Sequence, residues 1–195
     1  ITTQPPASQQ PSWPAQAIEA DHGMVVSASS IASEIGRDVL ASGGNAIDAA
    51  IATGFALAVT YPTAGNIGGG GFMVIRFPDG RATTIDFREK APAAASPTMF
   101  TDSTGAYSSR IHHGSYKAVG VPGTVAGFDY VHRNYGKVSW ARLVEPAVKL
   151  AGAGFAVPTG LAASLTGART RLSQYPASLA AYYKSGQPYA AGDTM

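Results

Sequence analysis

Gly68-Gly69-Gly70-Gly71-Phe72-Met73-Val74-Ile75-Arg76-Phe77-Pro78-Asp79-Gly80-Arg81-Ala82-Thr83-Thr84-Ile85-Asp86-Phe87-Arg88 is the most sharply punctuated stretch of the 195-residue sequence. Two runs rich in β-branched and aromatic residues, 72–77 and 81–88, flank Pro78-Asp79-Gly80, and this pattern predicts an antiparallel hairpin. Period-two alternation puts Asp86 and Arg88 on one face of the second strand and Phe87 on the other. The hairpin does not need the four glycines ahead of it. Each glycine raises the cost of ordering by about 0.5–1 kcal/mol relative to alanine, so the run marks a close approach to backbone. That approach is either a packing corner between helix and strand or backbone lining a substrate. A phosphate cradle is disfavoured, because the run lacks the Lys-Ser/Thr of a phosphate loop and opens a strand rather than a helix.

Helical patterns surround the hairpin. Upstream, Met24-Val25-Val26-Ser27 reads as a short strand. Ser30 then offers an N-cap for a helix bearing Ile31, Ile35, Val39 and Leu40, ended by Ser42-Gly43-Gly44. Asn45 can cap the next helix, where Ile47, Ile51, Phe55 and Val59 recur every four residues among alanines, a pattern of burial on most sides. Pro62 stops it. Downstream, an Ala/Pro-rich stretch from Ala91 to Pro97 leaves the sheet and leads to a turn-like 101–105. Gly123-Thr124 opens a helix with Val125, Phe128, Val131 and Tyr135, closed by Gly136. Ser139 caps another with Leu143, Ala147 and Leu150, closed by Gly152 or Gly154, and Pro146 should kink it or sit in its first turn. A helix over 159–172 and a turn-rich 186–193 follow. The order predicts an α+β domain with helices packed on an antiparallel sheet.

Composition bounds the function. Only 13% of residues are charged and the formal net charge is +2, with no Lys/Arg run, which argues against nucleic acid and anionic lipid as partners. The longest apolar stretch, Ala49 to Val59, is too short to span a bilayer. Without cysteine there is no disulfide framework, thiolate metal site or thiol nucleophile. Residues 1–18 read as a flexible Pro/Gln-rich tail, and 19–195 as the folded part. A lead-in of that composition without an initial Met is what commonly remains after a secretory signal is removed, so a periplasmic or secreted protein is expected. The low charge also suggests burial against further polypeptide.

Among candidate chemistry, Asp86-Phe87-Arg88-Glu89-Lys90 packs four charges into five residues. An arginine at a strand end can hold a carboxylate through two parallel hydrogen bonds, which suits an amino-acid-like ligand. The alternative is an internal ion pair of Arg88 with Asp86 or Glu89. His112-His113, His22 and His132 lack metal-ligand spacing, so no metal or other cofactor is expected. No Gly-x-Ser-x-Gly marks a serine nucleophile. Trp140, at a helix start, reads as a packing residue.

Four motifs occur in order: Gly43-Gly44-Asn45-Ala46-Ile47-Asp48-Ala49-Ala50, Asn66-Ile67-Gly68-Gly69-Gly70-Gly71-Phe72-Met73, Asp86-Phe87-Arg88-Glu89, and Gly120-Val121-Pro122-Gly123-Thr124-Val125-Ala126-Gly127. With them the chain, from about Ala20 onward, resembles the gamma-glutamyltranspeptidase (glutathione hydrolase) family. The resemblance implies an N-terminal nucleophile hydrolase fold, an αββα sandwich made by a self-cleaving precursor, and makes this chain the first part of the large subunit. It implies cleavage of γ-glutamyl amides such as glutathione, with transfer to water or to an amino-acid or peptide acceptor. Related acylases on the same fold act on cephalosporin or glutaryl amides or on poly-γ-glutamate, and a γ-glutamyl-binding fragment without activity is the remaining alternative. The nucleophile implied is a threonine at the start of the small subunit, with its own α-amine as base. Ile1 is not that residue and every threonine here is internal, so no catalytic residue is expected in this chain. Arg88 matches the arginine that binds the α-carboxylate of the γ-glutamyl group. Asp86 and Glu89 would neighbour or orient it, while Gly69 and Gly70 in the glycine run, with Gly123-Thr124, would shape the site.

Overall fold

The computed structural model describes residues 18–195. The tail expected over 1–18 therefore lies, but for Ile18, outside the described residues. Twelve-residue α1 (Ser30–Ala41) and fifteen-residue α2 (Ala46–Thr60) form a tight helical pair. A hairpin of β1 (Phe72–Arg76) and β2 (Ala82–Asp86) follows, then short α3 (Ser109–Gly114), α4 (Thr124–Tyr135), α5 (Trp140–Ala153), α6 (Thr159–Leu172) and α7 (Pro176–Tyr182). Two-residue strands β3 (Tyr183–Lys184) and β4 (Gln187–Pro188) make a second small hairpin.

Helix α2 is the hub because its sequence is apolar on nearly every side. Ile51, Ala52 and Ala56 are fully buried, and α1, α4 and α5 pack around it. Small residues set the approach. A Cβ on Gly36 of α1 would overlap the Thr53 side chain, and one on Gly54 would lie 2.5 Å from the Phe128 ring of α4. Edge-to-face aromatic contacts continue the packing outward: Phe55 meets Phe128 and Trp140 at 5.3 and 5.5 Å, and Phe128 meets Phe87 at 5.9 Å. Trp140 is thus a packing residue.

The start of α2 carries a polar device. Asn45 Oδ1 accepts the Ile47 and Asp48 N–H groups at 2.9 and 3.0 Å, while Asp48 Oδ2 accepts the Asn45 N–H at 2.9 Å. This reciprocal capping box satisfies helix-end donors. The Asp48 side chain is fully buried, and its Oδ1 also accepts the N–H groups of Lys137 and Val138 at 3.1 and 3.3 Å. Asn45 Nδ2 donates to the Tyr135 carbonyl at 2.6 Å. One helix cap therefore fastens the turn between α4 and α5, about 90 residues away in sequence.

The predicted hairpin forms, with Phe72 opposite Asp86 and Arg76 opposite Ala82, but its strands are shorter than expected and β2 ends at Asp86, two residues before Arg88. Asp79 accepts from both the Arg81 N–H and its Nε, at 3.0 and 2.7 Å, which closes the turn and holds the Asp79 carboxyl below its ordinary pKa. Alternation places Met73, Ile75, Ile85 and Phe87 toward the helices. The opposite face is open, with Phe72 66% and Val74 75% exposed. A second cluster of Phe155, Val157, Leu161 and Leu165 joins α6 to the closing segment, where the Tyr183 hydroxyl donates to the Leu165 carbonyl at 2.7 Å.

Several sequence expectations are corrected. Met24–Ser27 is not a strand, since no neighbour among the described residues supplies a ladder. The N-cap of α1 is Ser29, not Ser30, because the Ser29 hydroxyl accepts the Ala32 N–H at 3.4 Å from a backbone still in the extended region. Of the two places expected for Pro146, the first turn of α5 is not the one it takes: it stands seventh in the helix, where its missing N–H leaves the Arg142 carbonyl without that helical partner. Gly154, at φ +81°, rather than Gly152, ends α5. The turn-rich 186–193 begins inside the β3–β4 hairpin, and α3 and α7 were not predicted.

Replacing Asp48 with alanine would strand three backbone N–H groups and is expected to cost about 3 kcal/mol of stability. A urea denaturation midpoint equal to that of the unsubstituted protein would contradict the role given to this carboxylate.

Candidate functional site

Just past β2, the backbone of Phe87-Arg88-Glu89 is enclosed by glycines from two directions. The Phe87 N–H donates to the Gly71 carbonyl at 3.0 Å and so extends the hairpin ladder by one bond. On one side a Cβ on Gly70 would overlap the Glu89 N–H, sit 2.5 Å from Glu89 Oε2 and 2.6 Å from the Phe87 carbonyl oxygen. On the other, a Cβ on Gly123 would overlap that same carbonyl, and one on Gly127, a turn into α4, would overlap the Phe87 ring. The Phe87 ring is thus seated on α4, between Gly127 and Phe128. Beyond it, Lys90 and Val121 exchange backbone hydrogen bonds of 3.2 and 2.8 Å, closing the 91–120 excursion at its base.

Two glycine-bearing segments hold each other as well as the strand between them. The Gly69 carbonyl accepts the N–H groups of Gly123 and Thr124 at 2.8 and 3.0 Å. Helix α4 has no side-chain cap, so this carbonyl satisfies donors at its start. The glycine run is therefore the packing corner that the sequence offered as one of its two explanations. Gly69 and Gly70 shape the segment that carries Arg88.

Arg88 itself is exposed, on the face shared with Asp86, and lies along an open cleft of about 450 Å³ with Asp86, Lys90, Val121, Ala126 and Tyr130. The internal ion pair does not form. None of the four ion pairs among the described residues involves Arg88, and Asp86 instead accepts the Arg88 backbone N–H at 3.0 Å. Asp86 thus fixes the main chain at Arg88 and leaves the guanidinium available. The Glu89 carboxylate folds over Gly70.

The histidines form no ligand set. His112 stacks on Phe100 and His113 at 4.3 and 4.2 Å, and its Nδ1 lies 2.8 Å from the Tyr107 hydroxyl. Among the described residues no group of three or more His, Asp or Glu could hold a metal ion, and no helix is long and apolar enough to cross a membrane. The sequence reading missed Gly127 as a contact of Phe87; the signal was a glycine inside a helical pattern.

A paired substitution separates packing glycines from the rest. Gly70→Ala should lose about 1–3 kcal/mol by overpacking against backbone that cannot turn aside. Gly68→Ala, two residues earlier, meets nothing within 4 Å and should stay within about 0.5 kcal/mol of the parent. Equal denaturation midpoints for the two variants would contradict the enclosure of residues 87–89.

Comparison with known proteins agrees with this geometry. The family described as Gamma-glutamyltranspeptidase matches residues 32–195. A glutathione hydrolase proenzyme of Pseudomonas sp. strain A14 is 47% identical over 190 residues, covering 97% of this chain and 32% of that protein. The chain spans about a third of the length of the curated bacterial relatives it matches. The crystal structure of Helicobacter pylori gamma-glutamyltranspeptidase superposes with a TM-score of 0.88 at 44% identity, covering 92% of this chain and 52% of that one. The cephalosporin acylase of Bacillus halodurans superposes with a TM-score of 0.83 at 26% identity, covering all of this chain and 37% of that one. These neighbours carry the N-terminal nucleophile hydrolase fold, and the helices and hairpin described above are a part of it. On the residues matched, the identity and the shared architecture, the chain belongs to the gamma-glutamyltranspeptidase family.

Proposed function

We propose that the complete protein cleaves γ-glutamyl amides such as glutathione, and that this chain supplies recognition while a second chain cut from the same precursor supplies attack. The observation that carries the reading is Arg88: a permanently charged guanidinium with no ion-pair partner among the described residues, on a backbone enclosed by glycines, at the rim of a cleft. Its planar fork fits the α-carboxylate of a γ-glutamyl group through two parallel hydrogen bonds. Asp86, Glu89, Gly69 and Gly70 act on the arginine through the main chain rather than on the ligand.

In this reading the hydroxyl of a threonine at the start of the second chain attacks the γ-carbonyl, and its own α-amine takes the proton and passes it to the departing amine. The resulting ester is then opened by water or by an amino-acid or peptide amine. The relatives named glutathione hydrolase proenzyme support both the substrate class and the cut precursor. A cephalosporin acylase reading has weaker support, since the superposed acylase is 26% identical and the superposed gamma-glutamyltranspeptidase 44%. Export to the periplasm or medium is part of the proposal on composition alone, from the Pro/Gln-rich lead-in.

In the complete enzyme, Arg88→Ala and Arg88→Lys should raise KM for a γ-glutamyl anilide roughly 10- to 100-fold, the worth of a charged, two-pronged contact, with a smaller change in kcat. An unchanged KM would overturn the assignment. Purified protein, denatured and sequenced from each N-terminus, should yield a second chain beginning with threonine; a single uncut chain that is fully active would contradict the division of labour.

A further inference from the structure

The two glycine segments that enclose Phe87–Glu89 are joined by one side chain. Asn66 Oδ1 accepts two hydrogen bonds at once, from the Gly69 N–H at 2.9 Å and from the Thr124 hydroxyl at 2.7 Å. Its Nδ2 donates to the Ala64 carbonyl at 3.1 Å, which orients the amide with its oxygen toward the two donors. Thr124 is 4% exposed, and Asn66 is the partner of its hydroxyl. A Cβ on Gly69 would stand 2.7 Å from Asn66 Oδ1, so the missing side chain at 69 is what lets the amide reach across.

We propose that Asn66 is a positioning residue for Arg88, an inference that rests on the γ-glutamyl reading above. Its acceptor oxygen ties the glycine run to the first residue of α4, and these two segments press on Phe87–Glu89 through Gly70 and Gly123, both against the Phe87 carbonyl. Without the tie, Gly69 N–H and the buried Thr124 hydroxyl lose their acceptor, the two segments are left joined by the Gly69 carbonyl alone, and the backbone bearing Arg88 gains freedom. The guanidinium then spends less time where a carboxylate meets both of its prongs. The effect falls on donor binding, because Asn66 acts on where the arginine stands and not on the bond that breaks.

The test uses the complete, processed enzyme and a γ-glutamyl anilide. Asn66→Ala should raise KM roughly 5- to 20-fold, as expected from losing all three hydrogen bonds of the amide, with kcat within about threefold of the parent. Asn66→Asp keeps an acceptor oxygen facing both donors and should restore most of the affinity. In an Arg88→Ala background, Asn66→Ala should add nothing further, the non-additivity of residues that act through one another. Should Asn66→Ala fail to fold, Thr124→Val against Thr124→Ser carries the same contrast, since only valine removes the donor. Multiplying effects of Asn66→Ala and Arg88→Ala, or an unchanged KM for Asn66→Ala beside a raised one for Arg88→Ala, would overturn the positioning role. An unchanged KM for Arg88→Ala would overturn the γ-glutamyl reading itself and, with it, the route by which Asn66 acts.

Discussion

Three backbone segments meet at Phe87-Arg88-Glu89 more closely than side chains would permit, and the rest of the site follows from that meeting. The segment that follows β2 meets both the glycine loop and the entry to α4, and Gly70, Gly123 and Gly127 each lie where a single added carbon would strike main chain or ring. Close packing of this kind resists displacement, because the neighbours are backbone atoms held by their own hydrogen bonds rather than flexible side-chain tips. The Gly69 carbonyl bonded to both Gly123 and Thr124 turns contact into attachment. An arginine on such a segment loses little main-chain freedom when it grips a ligand, which is the energetic advantage of a site organised in advance.

The hub helix sets the frame in which this meeting occurs. Apolar residues around all of α2 draw α1, α4 and α5 onto it, and Asn45 with buried Asp48 fixes the turn after α4. Phe128 touches both Phe55 of the hub and Phe87 just past β2, so one ring joins the core to the segment that carries Arg88. Orientation therefore passes from a helix cap, through α4, to Arg88. The exposed outer face at Phe72 and Val74 shows the hairpin finished on one side only, in keeping with a chain that spans about a third of its curated relatives.

Local chemistry made much of this legible in the sequence. The hairpin and its turn, the capping role of Asn45, the ends of α6 and the alternation that separates Arg88 from Phe87 are consequences of neighbours within a few residues. What escaped depends on partners far along the chain. Met24–Ser27 has the composition of a strand, yet a strand exists only when another pairs with it. Asp48, which the sequence left without a role, completes the capping box begun by Asn45, and its bonds to Lys137 and Val138 have no local signature. The glycine run announced a close approach, but only the folded chain shows that Glu89, Phe87 and Asn66 are what approach it. For Arg88 the spacing left ion pair and ligand site open; the folded chain removes the pair by giving Asp86 to the backbone N–H.

The account's central claim is that an enclosed backbone presents Arg88 to a carboxylate. A crystal structure of the complete protein with glutamate bound tests it most directly. The account predicts both guanidinium prongs about 3 Å from the two oxygens of the ligand's α-carboxylate, with residues 87–89 still lodged between Gly70 and Gly123. A bound glutamate held by other residues, with the Arg88 side chain turned away, would contradict it.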